Sequence, residues 1–164
     1  KNIYQFCAKT EVPAKDQLKL LRWTIFNLLI GNSDHHVKNI SFFVSSTGMK
    51  LTPFYDLVSV KMYPEFEHAL AFHIGDTFVL EDVNAYHLAE MSTELGLKKS
   101  FVTKQLKKLC EATLKEIESI LDSEKIFDAT PEEAEFIKEL KATIRLRRER
   151  FLKEAAGISK FVSV

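Results

Sequence analysis

Asp34, Asn39 and Asp56 are the residues of this sequence whose types and spacing could do chemistry. Two of them lie in Ile30-Gly31-Asn32-Ser33-Asp34-His35-His36-Val37-Lys38-Asn39, and the third closes Pro53-Phe54-Tyr55-Asp56. Phosphoryl transfer asks for one carboxylate to take the proton of an attacking hydroxyl and an amide oxygen to hold a metal ion. It also asks for a second carboxylate that bridges the metal to the nucleotide phosphates. Asp34, Asn39 and Asp56 can fill those three roles, which points to phosphate and Mg²⁺ chemistry. Lys38, four residues after Asp34, and His36, two after it, are the candidates to meet charge developing on the transferred group.

Such chemistry needs the three side chains at one point, so the intervening elements have to bring them there. In protein kinases the catalytic Asp precedes the metal-binding Asn by five positions, and the second metal-binding Asp follows a short hairpin. Asp34 and Asn39 keep that interval. Ile40 to Val44 and Met49 to Phe54 read as strands around a turn at Ser45 to Gly48. Val44 then lies opposite Met49 and Asn39 opposite Phe54 on strands about 5 Å apart, so Asp56 emerges beside Asn39. Before the loop, Asp16 to Ile30 reads as a helix with Asp16 as N-cap, apolar on most sides and stopped by Gly31, a strut for the loop. Asn27 inside it is expected to tie loop to helix, because a buried amide needs partners.

The rest is mostly helical in pattern. Ala69 to Ile74 reads as a short, isolated strand. Glu81 to Leu95, closed by Gly96, and Phe101 to Leu121 have helical spacing. Thr130-Pro131-Glu132-Glu133 is a capping box opening a last helix to about Ala155, and Ser123 to Ala129 is a connector.

Asn27, Ile30-Gly31-Asn32-Ser33-Asp34, Lys38-Asn39-Ile40-Ser41, Leu51-Thr52-Pro53-Phe54-Tyr55-Asp56-Leu57 and Leu70-Ala71-Phe72-His73-Ile74-Gly75 resemble the catalytic half of HipA-type serine/threonine kinases, toxins of bacterial toxin–antitoxin modules. The resemblance runs from about Leu18 to Gly75. It implies an ATP- and Mg²⁺-dependent kinase with Asp34 as general base and Asn39 and Asp56 as metal ligands. It also implies a protein substrate of the aminoacyl-tRNA synthetase class and a HipB-like DNA-binding antitoxin as partner. The expected fold is mainly α with a small β-hairpin, the helical C-terminal lobe of a kinase. Against the general kinase pattern, Asn32-Ser33-Asp34 stands for His-Arg-Asp and Tyr55-Asp56-Leu57 for Asp-Phe-Gly, and the HipA-like family shares both substitutions. No Gly-rich phosphate loop or Val-Ala-Ile-Lys-like strand precedes Asp34. Residues 1–164 are therefore expected to be a single C-terminal catalytic lobe, inert without an N-terminal lobe that clamps ATP.

Composition supports one ordinary domain. The 164 residues, 46% apolar and 28% charged, can bury a core. Nothing in the sequence argues for a membrane span or a signal peptide. The 23 basic and 23 acidic side chains cancel, which gives no general pull toward nucleic acid. Cys7 and Cys110 make no disulfide framework or zinc pattern, and a cytoplasmic setting is expected.

Blander roles exist for every one of these residues. Asp34 alone would be a turn residue, His35 a polar loop residue, Lys38 a solvated charge and Tyr55 packed surface. Ser33 and Ser41 would bond the loop backbone, and the run Arg145 to Arg150 would be a solvated helix face. Two other classes compete with the kinase. One is a metal-dependent hydrolase using Asp34, His35, His36, Asp56 and His68 or His73. The other is a kinase-like module that only docks a partner.

Overall fold

The computed structural model describes residues 2–121 and 129–161. A short helix α1 (Asn2–Phe6) and a 3₁₀ turn lead into α2 (Pro13–Ile30), which proline starts with its preset φ. The helix thus begins three residues before the expected N-cap, which is Val12 rather than Asp16. Asp16 sits fully buried in the first turn, where the helix dipole favours an anion. Its carboxylate accepts the Leu51 N–H at 3.1 Å and faces Lys19 at 3.5 Å, so it pins the following hairpin to the strut. As expected, α2 is buried on most sides, through Leu20, Leu21, Trp23, Ile25, Leu28 and Leu29.

The first hairpin pairs β1 (Phe42–Ser45) with β2 (Gly48–Leu51), with Val44 opposite Met49 as the pattern predicts. The ladder does not reach Asn39. It runs back only to the Thr52 N–H on the Ser41 carbonyl, and residues 37–39 instead form a 3₁₀ turn. The second expected strand is not isolated: β3 (Ala69–Ile74) pairs antiparallel with β4 (Thr77–Val79). Gly75 makes that turn at φ 60°, and a Cβ there would lie 2.9 Å from His87 Cα.

Three helices complete the chain: α3 (Ala85–Glu94), α4 (Lys99–Leu121) and α5 (Pro131–Ala155). The sequence placed the start of α3 at Glu81, but Asn84 caps it in a box with His87 and leaves Glu81 outside the helix. Thr130 and Glu133 form the expected capping box of α5. The expected connector falls, apart from Ala129, outside the described residues. Helices α4 and α5 pack on each other and both pack on α2. One apolar cluster joins Tyr4 through Leu28, Leu88 and Leu106 to Phe151 and Ile158. The architecture is thus mainly helical with two small antiparallel sheets where one hairpin was expected. Cys7 and Cys110 are free and buried, and burial pushes each thiol up to about 11. No described helix is long and apolar enough to cross a membrane.

Candidate active site

Gly31 ends α2 at φ 74°, a left-handed conformation suited to glycine, and its N–H caps the Asn27 carbonyl. The loop that follows is fastened by amides. Asn32 gives its backbone N–H to the Asn27 carbonyl at 2.9 Å and its side-chain Nδ2 to Asn27 Oδ1 at 2.8 Å. Asn27 therefore ties the loop to the helix, as expected of a buried amide. Asn32 Nδ2 also reaches the Asp56 carbonyl at 3.2 Å, and Asn32 Oδ1 accepts the Asp34 N–H. A single amide thereby positions both candidate carboxylates. His35 is fully buried, edge-on to Trp23 with ring centroids 5.4 Å apart, and burial holds its pKa below the ordinary value. Its Nδ1 lies 2.7 Å from the Asn32 carbonyl, which can only accept, so Nδ1 carries the proton.

Asn39 and Asp56 meet directly: Asn39 Nδ2 donates to Asp56 Oδ2 at 2.9 Å. They come together through the 3₁₀ turn and the chain after β2 rather than by strand pairing. Asp56 holds φ 57°, so its side chain leaves the backbone in a left-handed conformation that aspartate tolerates better than most residues. Asp34, Asp56 and Asn32 line one cleft of about 510 Å³, whose remaining wall includes Val58, Tyr63, Phe66 and Glu67. Asp34 is well exposed to it.

The loop is backed from below by a charged clamp. Ser59 Oγ donates to the Ile30 carbonyl at 2.5 Å, and the Lys61 N–H donates to that of Gly31 at 3.0 Å. Arg147 of α5, only 5% exposed, donates Nε to the Leu28 carbonyl at 2.8 Å and Nη1 to Glu81 at 2.9 Å. Lys61 and Arg150 lie 3.0 and 3.1 Å from the same carboxylate. Burial pushes the Glu81 carboxyl up, but Arg147, Lys61 and Arg150 together outweigh it and hold it below the usual carboxylate range.

The family model for the HipA-like C-terminal domain matches residues 1–118. The chain is a HipA-like C-terminal domain. It is 37% identical over 150 residues to the serine/threonine-protein kinase toxin HipA of Shewanella oneidensis, covering 92% of this chain and 34% of that protein. A provisionally named kinase of Sinorhizobium fredii is 34% identical over 110 residues, 67% of this chain and 26% of its own. A solved complex of Shewanella oneidensis HipA, HipB and operator DNA matches with TM-score 0.91 and 35% identity over 98% of this chain and 37% of the HipA-like chain. The chain therefore spans about a third of the length of the relatives it matches, and it belongs to a family of kinases.

In this HipA-like domain, the residues singled out from sequence separate into two groups. Asp56 meets Asn39 directly and shares the cleft with Asp34, whereas Asn39, His36 and Lys38 are not among the residues that line that cleft. His36 Nε2 is 4.0 Å from Asp34 Oδ1, and its buried Nδ1 has no hydrogen-bond partner. Lys38 is exposed, and its carbonyl takes the Tyr55 hydroxyl at 2.9 Å. Tyr55 is thus more than packed surface: its hydroxyl, also 3.0 Å from Ser41 Oγ, braces the turn that carries Asn39. Ser41 bonds that hydroxyl rather than the loop backbone, and the buried Ser33 Oγ has no partner. The run Arg145 to Arg150 is likewise not simply a solvated face. Arg145 pairs with Glu118 at the surface, whereas Arg147 and Arg150 grip Glu81 and Arg148 donates to the Cys110 carbonyl. The signal was present in the spacing, since Arg147 shares a helix face with buried Ile144 and Phe151.

The cluster that the competing hydrolase reading requires does not form among the described residues. No three His, Cys, Asp or Glu side chains there come close enough to share a metal ion. His35 is committed to Asn32, and His73 Nδ1 lies 2.6 Å from the Gly75 carbonyl.

Proposed function

We propose that this chain is the catalytic C-terminal lobe, a single domain over residues 1–164, of a serine/threonine protein kinase that uses ATP and Mg²⁺. Asp34 accepts the proton of a substrate hydroxyl as its oxygen attacks the γ-phosphorus; the bond to ADP breaks and the phosphate ester forms. The observation that carries this reading is the bond from the Asn39 amide to the Asp56 carboxylate, beside a cleft that Asp56 shares with Asp34. Because Asn39 gives its N–H to Asp56 Oδ2, its amide oxygen and Asp56 Oδ1 are the acceptors left to face a hard cation. Two such oxygens fit Mg²⁺, which takes its other positions from water and phosphate and needs no closed cage of side chains. When bound, Mg²⁺ would supply charge neutralisation along the β- and γ-phosphates. Lys38, on its flexible stem, and His36 are proposed to screen charge on the transferred group.

The rest of the nucleotide site is assigned to an N-terminal lobe outside this sequence. By family resemblance, the proposed substrate is a protein such as an aminoacyl-tRNA synthetase, and the proposed partner is a HipB-like DNA-binding antitoxin. The balanced charge supports a link to DNA through that partner rather than by direct contact. A cytoplasmic setting, where ATP is at hand, goes with this reading.

The test is transfer of radiolabelled γ-phosphate by the full-length protein. Asp34→Asn and Asp56→Asn are each expected to lower the rate by at least about 10²-fold. Residual transfer within about tenfold of the parent would remove the assigned roles. A full-length protein that binds its partner yet transfers nothing would favour the docking module.

A further inference from the structure

The wall of the cleft opposite the amide-fastened loop has a chemistry that the transfer reaction alone does not use. Tyr63 and Phe66 pack edge to face with ring centroids 6.1 Å apart, and Phe136 of α5 lies tilted against Tyr63 at 6.0 Å. Both rings are open to solvent, Phe66 at 57% exposure, and Val58 extends the apolar surface. Backbone bonds from Tyr63 to the Val60 carbonyl and from Phe66 to the Tyr63 carbonyl fold the segment, so the aromatics stand ready before anything binds. Exposed rings held together in this way offer an apolar side chain something to pack against.

Charge then selects the occupant. Among the described residues lining the cleft, Asp34, Asp56 and Glu67 are acidic and none is basic. The Ala71 N–H donates to the Ser33 carbonyl at 3.0 Å, which fastens the segment after Glu67 and Ala69 to the loop that carries Asp34. Glu67, the one of these acids that the proposed metal site and base do not use, repels a triphosphate on that side and attracts a cationic side chain. We propose that this wall is the subsite for the polypeptide that presents the acceptor hydroxyl. It takes an apolar side chain against Tyr63 and Phe66 and a lysine or arginine at Glu67. The inference rests on the kinase reading and narrows its substrate to Ser/Thr segments with an apolar and a basic neighbour.

The experiment uses the full-length protein and a peptide array in which residues flanking one Ser/Thr are varied singly. The parent is expected to favour peptides with both an apolar and a basic flank. Phe66→Ala should reduce kcat/KM on apolar-flanked peptides by about tenfold. Glu67→Lys, a surface change that the fold tolerates, should shift preference by about fivefold from Lys-bearing to Glu-bearing peptides. The KM for ATP should move by less than about twofold, because these groups face the acceptor. Selective transfer that neither variant alters overturns the subsite and leaves the kinase reading standing. A rise in the KM for ATP with unaltered peptide preference assigns the wall to nucleotide and also overturns it. Absence of transfer to any peptide removes both readings.

Discussion

At Asp56, conformation and charge act through one residue and can be separated by substitution. Among the described residues it alone, apart from glycines, has a left-handed backbone. Asparagine enters that region readily because its short polar side chain bonds locally, whereas the alanine Cβ is strained by about 1 kcal/mol or more. Asn also keeps an oxygen for the Asn39 amide. Asp56→Asn is therefore expected to leave the thermal midpoint within about 2 °C of the parent while abolishing transfer, and Asp56→Ala to lower the midpoint by about 3 °C more. Circular-dichroism melts of the three proteins check this, and equal midpoints for Asn and Ala would show that the left-handed conformer carries no strain. The same distinction holds at His35. Its imidazole, neutral and proton-fixed by Asn32, works as an aromatic wedge against Trp23 and Phe72 rather than as a base.

At the level of elements, α5 holds the C-terminal end of α2, and so the start of the loop that carries Asp34, through one side chain. Arg147→Ala would strip the Leu28 carbonyl of its donor and Glu81 of its buried partner. Breaking a buried ion pair costs about 3–5 kcal/mol, but the Glu81 side chain is 46% exposed and keeps Lys61 and Arg150. A loss of about 2 kcal/mol is the expected value, with Arg147→Met losing less because its stem still packs. The pH dependence has a definite sign. The folded Glu81 carboxyl sits below its ordinary 4.5, so its contribution is full above about that pH and fades as pH falls through the folded value. Urea unfolding should therefore show parent and Arg147→Ala converging in stability below about pH 4.5, and a constant gap there would mean that Glu81 plays no part. This clamp marks the limit of what periodicity reveals. The helical spacing of α2, α4 and α5, the register of the first hairpin and the Thr130 capping box are local patterns and were legible from the sequence. Glu81 was read into α3 because nothing local marks a carboxylate whose partners lie 66 and 69 residues away. Strand β4, three residues long, carries too short a pattern to be seen without the β3 edge it pairs with.

For the whole molecule, the meeting of Asn39 with Asp56 could be expected from sequence because the interval between them is short, but the 3₁₀ turn and the chain after β2, not the hairpin ladder, bring it about. The aromatic wall of the cleft could not be expected, since Phe136 reaches Tyr63 from a helix much later in the chain. Both rest on the same foundation. A single apolar cluster runs from Tyr4 to Ile158, so the parts that hold the site have no separate core to unfold around. Trp23 is the sole tryptophan, 4% exposed and stacked on Phe54 at 5.3 Å, and it stands where the strut, His35 and the chain leaving β2 meet. Its fluorescence therefore reports the site, while far-UV circular dichroism is dominated by α4 and α5. For the 164-residue chain alone, the two signals are expected to lose structure at the same urea midpoint, and under the proposed reading no phosphate is transferred without an added N-terminal lobe. An earlier fluorescence transition would mean that the site unfolds apart from the helices. Transfer by the isolated chain would mean that it already holds a complete nucleotide site, against the assignment of that clamp to another lobe.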